Sequence, residues 1–305
     1  MYAYSIRRLI GAIPTVFAVI VIAFVMIRLA PGGPFDSERS VPPEIAANLE
    51  AAYKLDAPLS EQFVSYLGDL LTGDLGPSFR YKDFTVTELL WSAFPVSAQL
   101  GLAAIILAVL AGTAAGAYAA MRRNTMVDAG VMTLAMTGIA LPNFVVAPLL
   151  TLVLGVYLSW LPVGGWGGLA HALLPIIALA LPQIAYVARL TRGSMLEVLR
   201  ADFIRTARAK GMSDARIVAH HALKAAALPV VSYLGPATAA IITGSVVIEQ
   251  IFGIPGLGRY FVQGALNRDY TLVMGVVIFY AVLIVILNLI VDLLYPLIDP
   301  RVRYD

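Results

Sequence analysis

The chain has 305 residues, of which 60% come from the set Ala, Val, Ile, Leu, Met, Phe, Trp, Tyr and Cys, and only 13% are charged. A soluble domain carries about 25% charged residues, so this composition excludes a disordered chain, a nucleic-acid-binding domain and an ordinary soluble enzyme. With no cysteine there is no disulfide framework, thiolate nucleophile or cysteine metal site, and the net charge of +2 says less than where the charges sit.

A helix that crosses about 30 Å of hydrocarbon needs about 20 mainly apolar residues. Six stretches meet this requirement: Leu9–Leu29, Phe94–Ala120, Ala129–Leu158, Ala172–Ala188, Ala226–Ile248 and Tyr270–Val291. The second, third and fifth contain no Asp, Glu, Lys or Arg. A helix that is apolar on all sides faces lipid or protein interior on every face. The first stretch follows Arg7-Arg8 but is longer than a usual signal core, and no clear small-x-small cleavage site follows it. It reads as an uncleaved span.

Between the first two spans lies Pro31–Ala93, an acidic segment of 63 residues. That is too long for a structureless loop inside a compact domain. Pro42-Pro43-Glu44 opens one helical pattern that runs to Leu55. Phe63, Leu67, Leu70 and Leu71 mark a second over Leu59–Leu71, and Gly73-Asp74-Leu75-Gly76-Pro77 breaks the chain after it. The segment reads as a cap over the outer mouth of a helical bundle, as a docking surface for an extracytoplasmic partner, or as both.

The basic residues divide unevenly. Residues 1–8, 121–128, 189–225 and 292–305 hold 14 Lys and Arg, and the remainder of the chain holds 7. The positive-inside rule places the richer side in the cytoplasm, with both termini there and the 31–93 segment outside. Pro142, Pro148, Pro175, Pro182, Pro229 and Pro236 fall in the spans and predict kinks. Gly112-x-x-x-Gly116 in the second span predicts a close helix contact. These features give an all-α polytopic membrane protein of six transmembrane helices, with a helical extracytoplasmic loop.

Several chemistries are missing. No Walker A loop, His-Glu-x-x-His or Gly-x-Ser-x-Gly occurs. His220 and His221 are adjacent, so on a helix they diverge and make poor co-ligands. Neither a catalytic nor a metal site is expected. Arg28 and Asp292 lie near span ends, and Gln99, Asn143, Gln183 and Asn288 are the amides within spans. These amides either line a pathway or bond to neighbouring helices. An ion-coupled carrier keeps ionisable groups at mid-membrane; few are found here, so the energy source is expected on another subunit.

The segment Glu197–Pro229 is the most informative. Asp202–Lys210 predicts a short helix with Phe203, Ile204 and Ala207 on one face and Arg205 and Arg208 flanking it. Gly211 suits the left-handed position that ends a helix. Ser213 or Asp214 can cap a second helix through Leu223. The result is either a rigid knob that inserts into a soluble subunit or a basic loop lying on anionic headgroups.

Arg205-Thr206-Ala207-Arg208-Ala209-Lys210-Gly211 resembles the Glu-Ala-Ala-x-x-x-Gly coupling motif of binding-protein-dependent ABC importer permeases. Arg205 stands where glutamate is usual and Thr206 where the first alanine is usual, a form similar to that of the dipeptide, oligopeptide and nickel branch. The resemblance extends through Arg7-Arg8-Leu9 with Ile13-Pro14-Thr15, Arg28-Leu29-Ala30-Pro31-Gly32 and Gly73-Asp74-Leu75-Gly76-Pro77-Ser78. It continues in Thr191-Arg192-Gly193-Ser194-Met195, Glu249-Gln250-Ile251-Phe252, Pro255-Gly256-Leu257-Gly258, Asn267-Arg268-Asp269-Tyr270 and Asp299-Pro300-Arg301. Within that branch the chain most resembles the B-type membrane subunit of oligopeptide permeases.

The resemblance implies one transmembrane domain over residues 1–305, with 31–93 extracytoplasmic and 189–225 a cytoplasmic coupling region. It implies half of a translocation pathway for peptide across the lipid bilayer. The other partners would be a paralogous six-span permease, two cytoplasmic ATPase subunits carrying ATP and Mg, and an extracytoplasmic peptide-binding protein. This chain would hold no cofactor and would not itself be an enzyme. The implied ATPase-coupling residues are Phe203, Ile204, Arg205, Thr206, Ala207, Arg208, Lys210, Gly211 and Met212. Phe203, Ile204 and Ala207 are expected to dock on the ATPase, and Arg205, Arg208 and Lys210 to pair with its acidic groups. Import of dipeptides or nickel by the same architecture, or a stand-alone ion-coupled carrier, are the alternatives.

Overall fold

A computed structural model describes residues 2–29, 57–81 and 83–298, with side chains for all of these except 2–9, 244 and 292–298. The first helical pattern of the outer segment, at Pro42–Leu55, lies outside the described residues. Helix α1 is Tyr2–Leu29 and α2 is Leu59–Leu71. Next come α3 (Val86–Met121), α4 (Met126–Ala140), α5 (Asn143–Leu150) and α6 (Leu169–Val198). The short helices α7 (Asp202–Ala209), α8 (Asp214–Ile217) and α9 (Leu223–Ala226) follow. The chain closes with α10 (Leu228–Gly244), α11 (Val246–Phe252), α12 (Leu257–Leu266) and α13 (Tyr270–Ile298).

Four helices are long and apolar enough to cross a membrane: Ile10–Leu29, Val86–Met121, Leu169–Val198 and Tyr270–Val291. Two bent pairs bring the number to six if each pair is one span: Met126–Ala140 with Asn143–Tyr157, bent by 105°, and Asp214–Ala226 with Leu228–Thr243, bent by 55°. The six apolar stretches read from sequence therefore all become helical, but not as six straight rods.

The third stretch departs furthest from expectation. It breaks at Leu141-Pro142, where Leu141 takes an extended backbone (φ −93°, ψ 120°). Proline has no N–H to give the carbonyl four residues earlier, and it disfavours a helical conformation in the residue before it. Beyond α5 the chain continues as π-helical turns over Thr151–Tyr157. By contrast α6 runs through Pro175 and Pro182 unbroken, packed along α3 and α4. The fifth stretch also divides, at Ser245, into α10 and α11. The second starts earlier than expected, at Val86, because Thr85 and Glu88 form a capping box. Residues 86–93 thus belong to α3.

The centre of the molecule is the α3–α6 pair. Leu100, Ala104 and Ala108 of α3 pack with Leu174, Ala178 and Leu179 of α6, and with Ala237 and Ile241 of α10. Lipid tails are as apolar as leucine, so burial alone does not drive helices together in a bilayer. Close backbone approach does, and it explains the small residues. A Cβ on Gly112 would sit 2.7 Å from Val187 Cβ and 2.8 Å from the Ile184 carbonyl. Gly116 lies equally hard against the Ala188 carbonyl and Thr191. Gly112→Leu is expected to separate the two helices at a cost of about 1–3 kcal/mol or more from overpacking. Denaturant unfolding of the purified chain measures it, and a loss below about 0.5 kcal/mol would count against this contact.

At one end of the bundle, α2 lies against α1 and α13 through Ile20, Phe24, Tyr66, Met274 and Ile278. Phe24 and Phe63 meet edge to face at 5.1 Å. The turn after α2 is held to the α12–α13 corner: the buried Asp269 accepts a hydrogen bond from Ser78 Oγ at 2.5 Å and one from its own helix at Leu272 N–H, 3.1 Å. The outer segment is therefore clamped to the bundle at both ends of its described part.

Candidate functional site

The expected short helix forms as α7. Its last turn closes with the Met212 N–H on the Ala207 carbonyl at 3.2 Å and the Gly211 N–H on the Arg208 carbonyl at 2.9 Å. Gly211 has φ +78°. This pair of bonds around a left-handed glycine is a Schellman stop. Ser213 stands at the N-cap of α8 but makes no side-chain capping bond there. The second helix runs through Leu223 as expected, with π-helical turns at Val218–Ala222 joining α8 to α9.

The structure reassigns two of the expected docking residues. Ile204 is 0% exposed and Ala207 is also buried. Both pack on Ala117 and Ala120 at the end of α3, Met195 of α6, and Ile217, Val218 and Ala222. They cannot enter a groove on another subunit, because this chain's own core holds them. Met212 is half-buried against the same cluster. Phe203, by contrast, is 49% exposed. Arg205, Thr206, Arg208, Lys210 and Gly211 are also exposed. So α7 is a knob with a buried root and a basic outer face carrying one aromatic ring. The root packs with the ends of α3 and α6.

Two polar arrangements were not foreseen from the sequence. Asp128, near the start of α4, takes a two-pronged ion pair from Arg192 of α6: Nε to Oδ1 at 2.6 Å and Nη2 to Oδ2 at 2.7 Å. The same carboxylate accepts the Asn124 N–H at 3.0 Å. It fixes the α3–α4 turn to the C-terminal part of α6. Forked guanidinium–carboxylate pairs are among the stronger charge-assisted contacts. Asp128→Asn keeps the size and loses the charge, and about 1–3 kcal/mol of stability is expected to go with it. Thermal unfolding in detergent checks this, and an unchanged midpoint would contradict it.

The second arrangement surrounds Glu249 of α11, which is 0% exposed. Its Oε1 accepts from Ser97 Oγ of α3 at 2.7 Å and from Ser245 Oγ at 2.6 Å. Its Oε2 accepts the Gly258 N–H at 2.7 Å. Ser97 Oγ in turn accepts the Leu257 N–H at 2.9 Å. One carboxylate thus ties α3, the Ser245 break and the start of α12. The sequence signal was an acid directly after a long charge-free run. Of the amides, Gln183 accepts a hydrogen bond from Tyr233 OH, joining α6 to α10. Gln99 is exposed on α3.

The family model for the binding-protein-dependent transport system inner membrane component matches residues 112–304. The chain is 56% identical to the oligopeptide transport system permease protein OppB of Escherichia coli strain K12, with 100% of each chain covered. It is 51% identical to OppB of Haemophilus influenzae over 100% of each chain. It is 44% identical to the dipeptide transport system permease protein DppB of Bacillus subtilis, over 99% of this chain and 98% of the relative. Among solved structures, an inward-facing MetNI methionine ABC transporter chain superposes with a TM-score of 0.60 at 16% identity, covering 69% of this chain and 96% of that one. At that identity the likeness is one of fold. The full-length matches and the family model agree: this chain belongs to the binding-protein-dependent transport system inner membrane components, and is a multi-pass permease of the inner membrane.

Proposed function

We propose that this chain is the membrane-spanning permease subunit of an ATP-driven oligopeptide importer. On this reading the chain has six spans, two of them bent, with both termini in the cytoplasm, which the division of 14 and 7 basic residues supports. The chain forms half of the pathway, and a paralogous six-span permease forms the other half. Two cytoplasmic ATPase subunits supply the Walker motifs that this sequence lacks, and an extracytoplasmic peptide-binding protein delivers substrate. Oligopeptide is favoured over dipeptide by the identities, 56% to OppB against 44% to DppB.

The observation that carries the reading is α7 itself: a glycine-stopped helix rooted by Ile204 and Ala207 in the core, with Phe203, Arg205, Arg208 and Lys210 outward. On this reading Phe203 enters the ATPase groove and the three basic groups pair with acids around it. Thr206 and Met212 border the contact, and Gly211 sets its angle. ATP binding closes the ATPase pair, α7 moves with it, and the α3–α6 contact carries that motion to the pathway. Alternating access then needs no ionisable relay at mid-membrane.

A mild-detergent pull-down of the chain from its native membrane, with co-purifying proteins identified by mass, tests this. Recovery of a second permease and two Walker-bearing subunits is expected. Recovery of the chain alone, in a detergent that preserves such complexes, would contradict it.

A further inference from the structure

The break at Leu141-Pro142 lies near the middle of the charge-free apolar stretch Ala129–Leu158. In a continuous helix the N–H groups of residues 142–144 would reach the carbonyls of Gly138, Ile139 and Ala140. Pro142 has no N–H to give. Beyond the extended Leu141, the Asn143 and Phe144 N–H groups make no such bond, and no side chain among the described residues replaces them. Asn143 Oδ1 is buried at the same place and has no hydrogen-bond partner.

The other broken span closes its gap from within. Ser245 is 0% exposed, its carbonyl accepts the Glu249 N–H at 2.7 Å, and its hydroxyl reaches the Ile242 carbonyl and Glu249. Pro175 and Pro182 lie in α6, which stays unbroken against its neighbours. The Leu141-Pro142 break is closed on one side only. There a Cβ on Gly138 would lie 2.7 Å from the Leu181 carbonyl of α6, and Val146 and Ala147 are buried. Elsewhere around the break the surface is open: Leu141 is 46% and Phe144 61% exposed, and Ala140 and Pro142 are exposed too.

Hydrocarbon offers no hydrogen bonds. Irregular backbone at membrane depth is therefore tolerated inside protein or along a water-filled cavity, and not against lipid. The open side of this break meets neither lipid nor another part of the chain. A protein wall covering it would have to bring donors for three carbonyls and acceptors for two N–H groups. Water does so, and so does an extended peptide, which carries one donor and one acceptor on nearly every residue whatever its side chains are. The exposed side chains beside the break are uncharged, so they impose no selection by charge on what passes.

We propose that the open side of the Leu141-Pro142 break is part of the water-filled wall of the peptide pathway, and that its backbone groups and the Asn143 amide hydrogen-bond the main chain of a passing peptide. The site rests on the importer reading and gives its pathway a place in this chain. Because the contact is to main chain, it holds peptides of different sequence alike.

The chain has no cysteine, so a single introduced thiol reports its own surroundings. The test uses Ala140→Cys and Phe144→Cys in membranes holding the chain with its co-purifying subunits. Ile22→Cys, 56% exposed in the unbroken α1, is the lipid control. The probe is a charged, membrane-impermeant methanethiosulfonate. A thiol ionises in water and not in hydrocarbon, so residues 140 and 144 are expected to react at least about 10-fold faster than residue 22. Oligopeptide with its binding protein and ATP is expected to remove most of that difference. If F144C fails to assemble, Val145→Cys reads the same wall.

Slow reaction at all three positions, with full modification by a lipid-soluble maleimide, would overturn the proposal in favour of a lipid-facing surface. Resistance of residues 140 and 144 to both reagents would overturn it in favour of burial against the partner permease. Fast reaction indifferent to peptide would overturn the peptide contact. If the unsubstituted chain co-purifies with no second permease or ATPase, the importer reading fails; the difference between residues 140, 144 and 22 then still decides whether the break is wet.

Discussion

Gly211→Val is expected to leave the importer assembled and hydrolysing ATP while peptide uptake falls. No heavy atom lies within 4 Å of the position a Cβ would take at Gly211, so the substitution meets no steric wall. Its effect comes from the backbone. At φ +78° a side chain costs about 1–2 kcal/mol, and a β-branched one is worse placed than most. A penalty of that size lowers the ratio of correctly angled to displaced α7 about 5–30-fold. Uptake is expected to drop by up to that factor. Asn tolerates the left-handed region, so Gly211→Asn should keep most of the activity. Measured uptake and ATP hydrolysis in the same proteoliposomes separate coupling from assembly. Wild-type uptake in Gly211→Val would remove Gly211 from the coupling account.

Removing the Glu249 carboxylate should produce the largest loss of stability. Three donors converge on it from α3, Ser245 and the start of α12, all of them buried. In Glu249→Ala the Ser97 hydroxyl and the Gly258 N–H lose their acceptor, and Ser245 Oγ is left with the Ile242 carbonyl at 3.1 Å. Each hydrogen bond to a charged group contributes about 1.5–3 kcal/mol, and stripping one side of a buried charged network costs about 3–5 kcal/mol. Glu249→Gln keeps an acceptor for the serines but offers an amide that need not satisfy Gly258. About 1–3 kcal/mol is expected there. Denaturant unfolding of the purified chain reads both. A loss under about 1 kcal/mol in Glu249→Ala would show that the network is not holding these helices together.

The sequence was most legible where a local rule acts alone. Ile204 and Ala207 at helical spacing, followed by Gly211, specified α7 and its stop. What the pattern could not specify is the surface that the apolar face meets. An amphipathic helix shows which side is apolar, and both a partner's groove and the chain's own core satisfy it. The core wins here because α3 ends with Ala117 and Ala120, small enough to admit Ile204.

The third span shows a second kind of limit. Pro142 was visible, but a proline inside an apolar run gives a kink when neighbours hold the helix and a break when they do not. Pro182 lies in a helix packed along two others, whereas Leu141 before Pro142 adopts an extended backbone. The polar ties were least legible. Asp128 and Arg192 are 64 residues apart, and Ser97 and Glu249 are 152 apart. Composition registers such residues as charges near span ends, and only the folded arrangement pairs them.

The most direct test of the central claim is uptake in proteoliposomes that contain this chain, its partner permease and the two ATPase subunits, with the peptide-binding protein supplied on the outer face. Labelled oligopeptide should accumulate only with ATP and with the binding protein, and should fall away in Gly211→Val. Uptake by this chain alone, driven by an ion gradient and indifferent to ATP, would contradict the account.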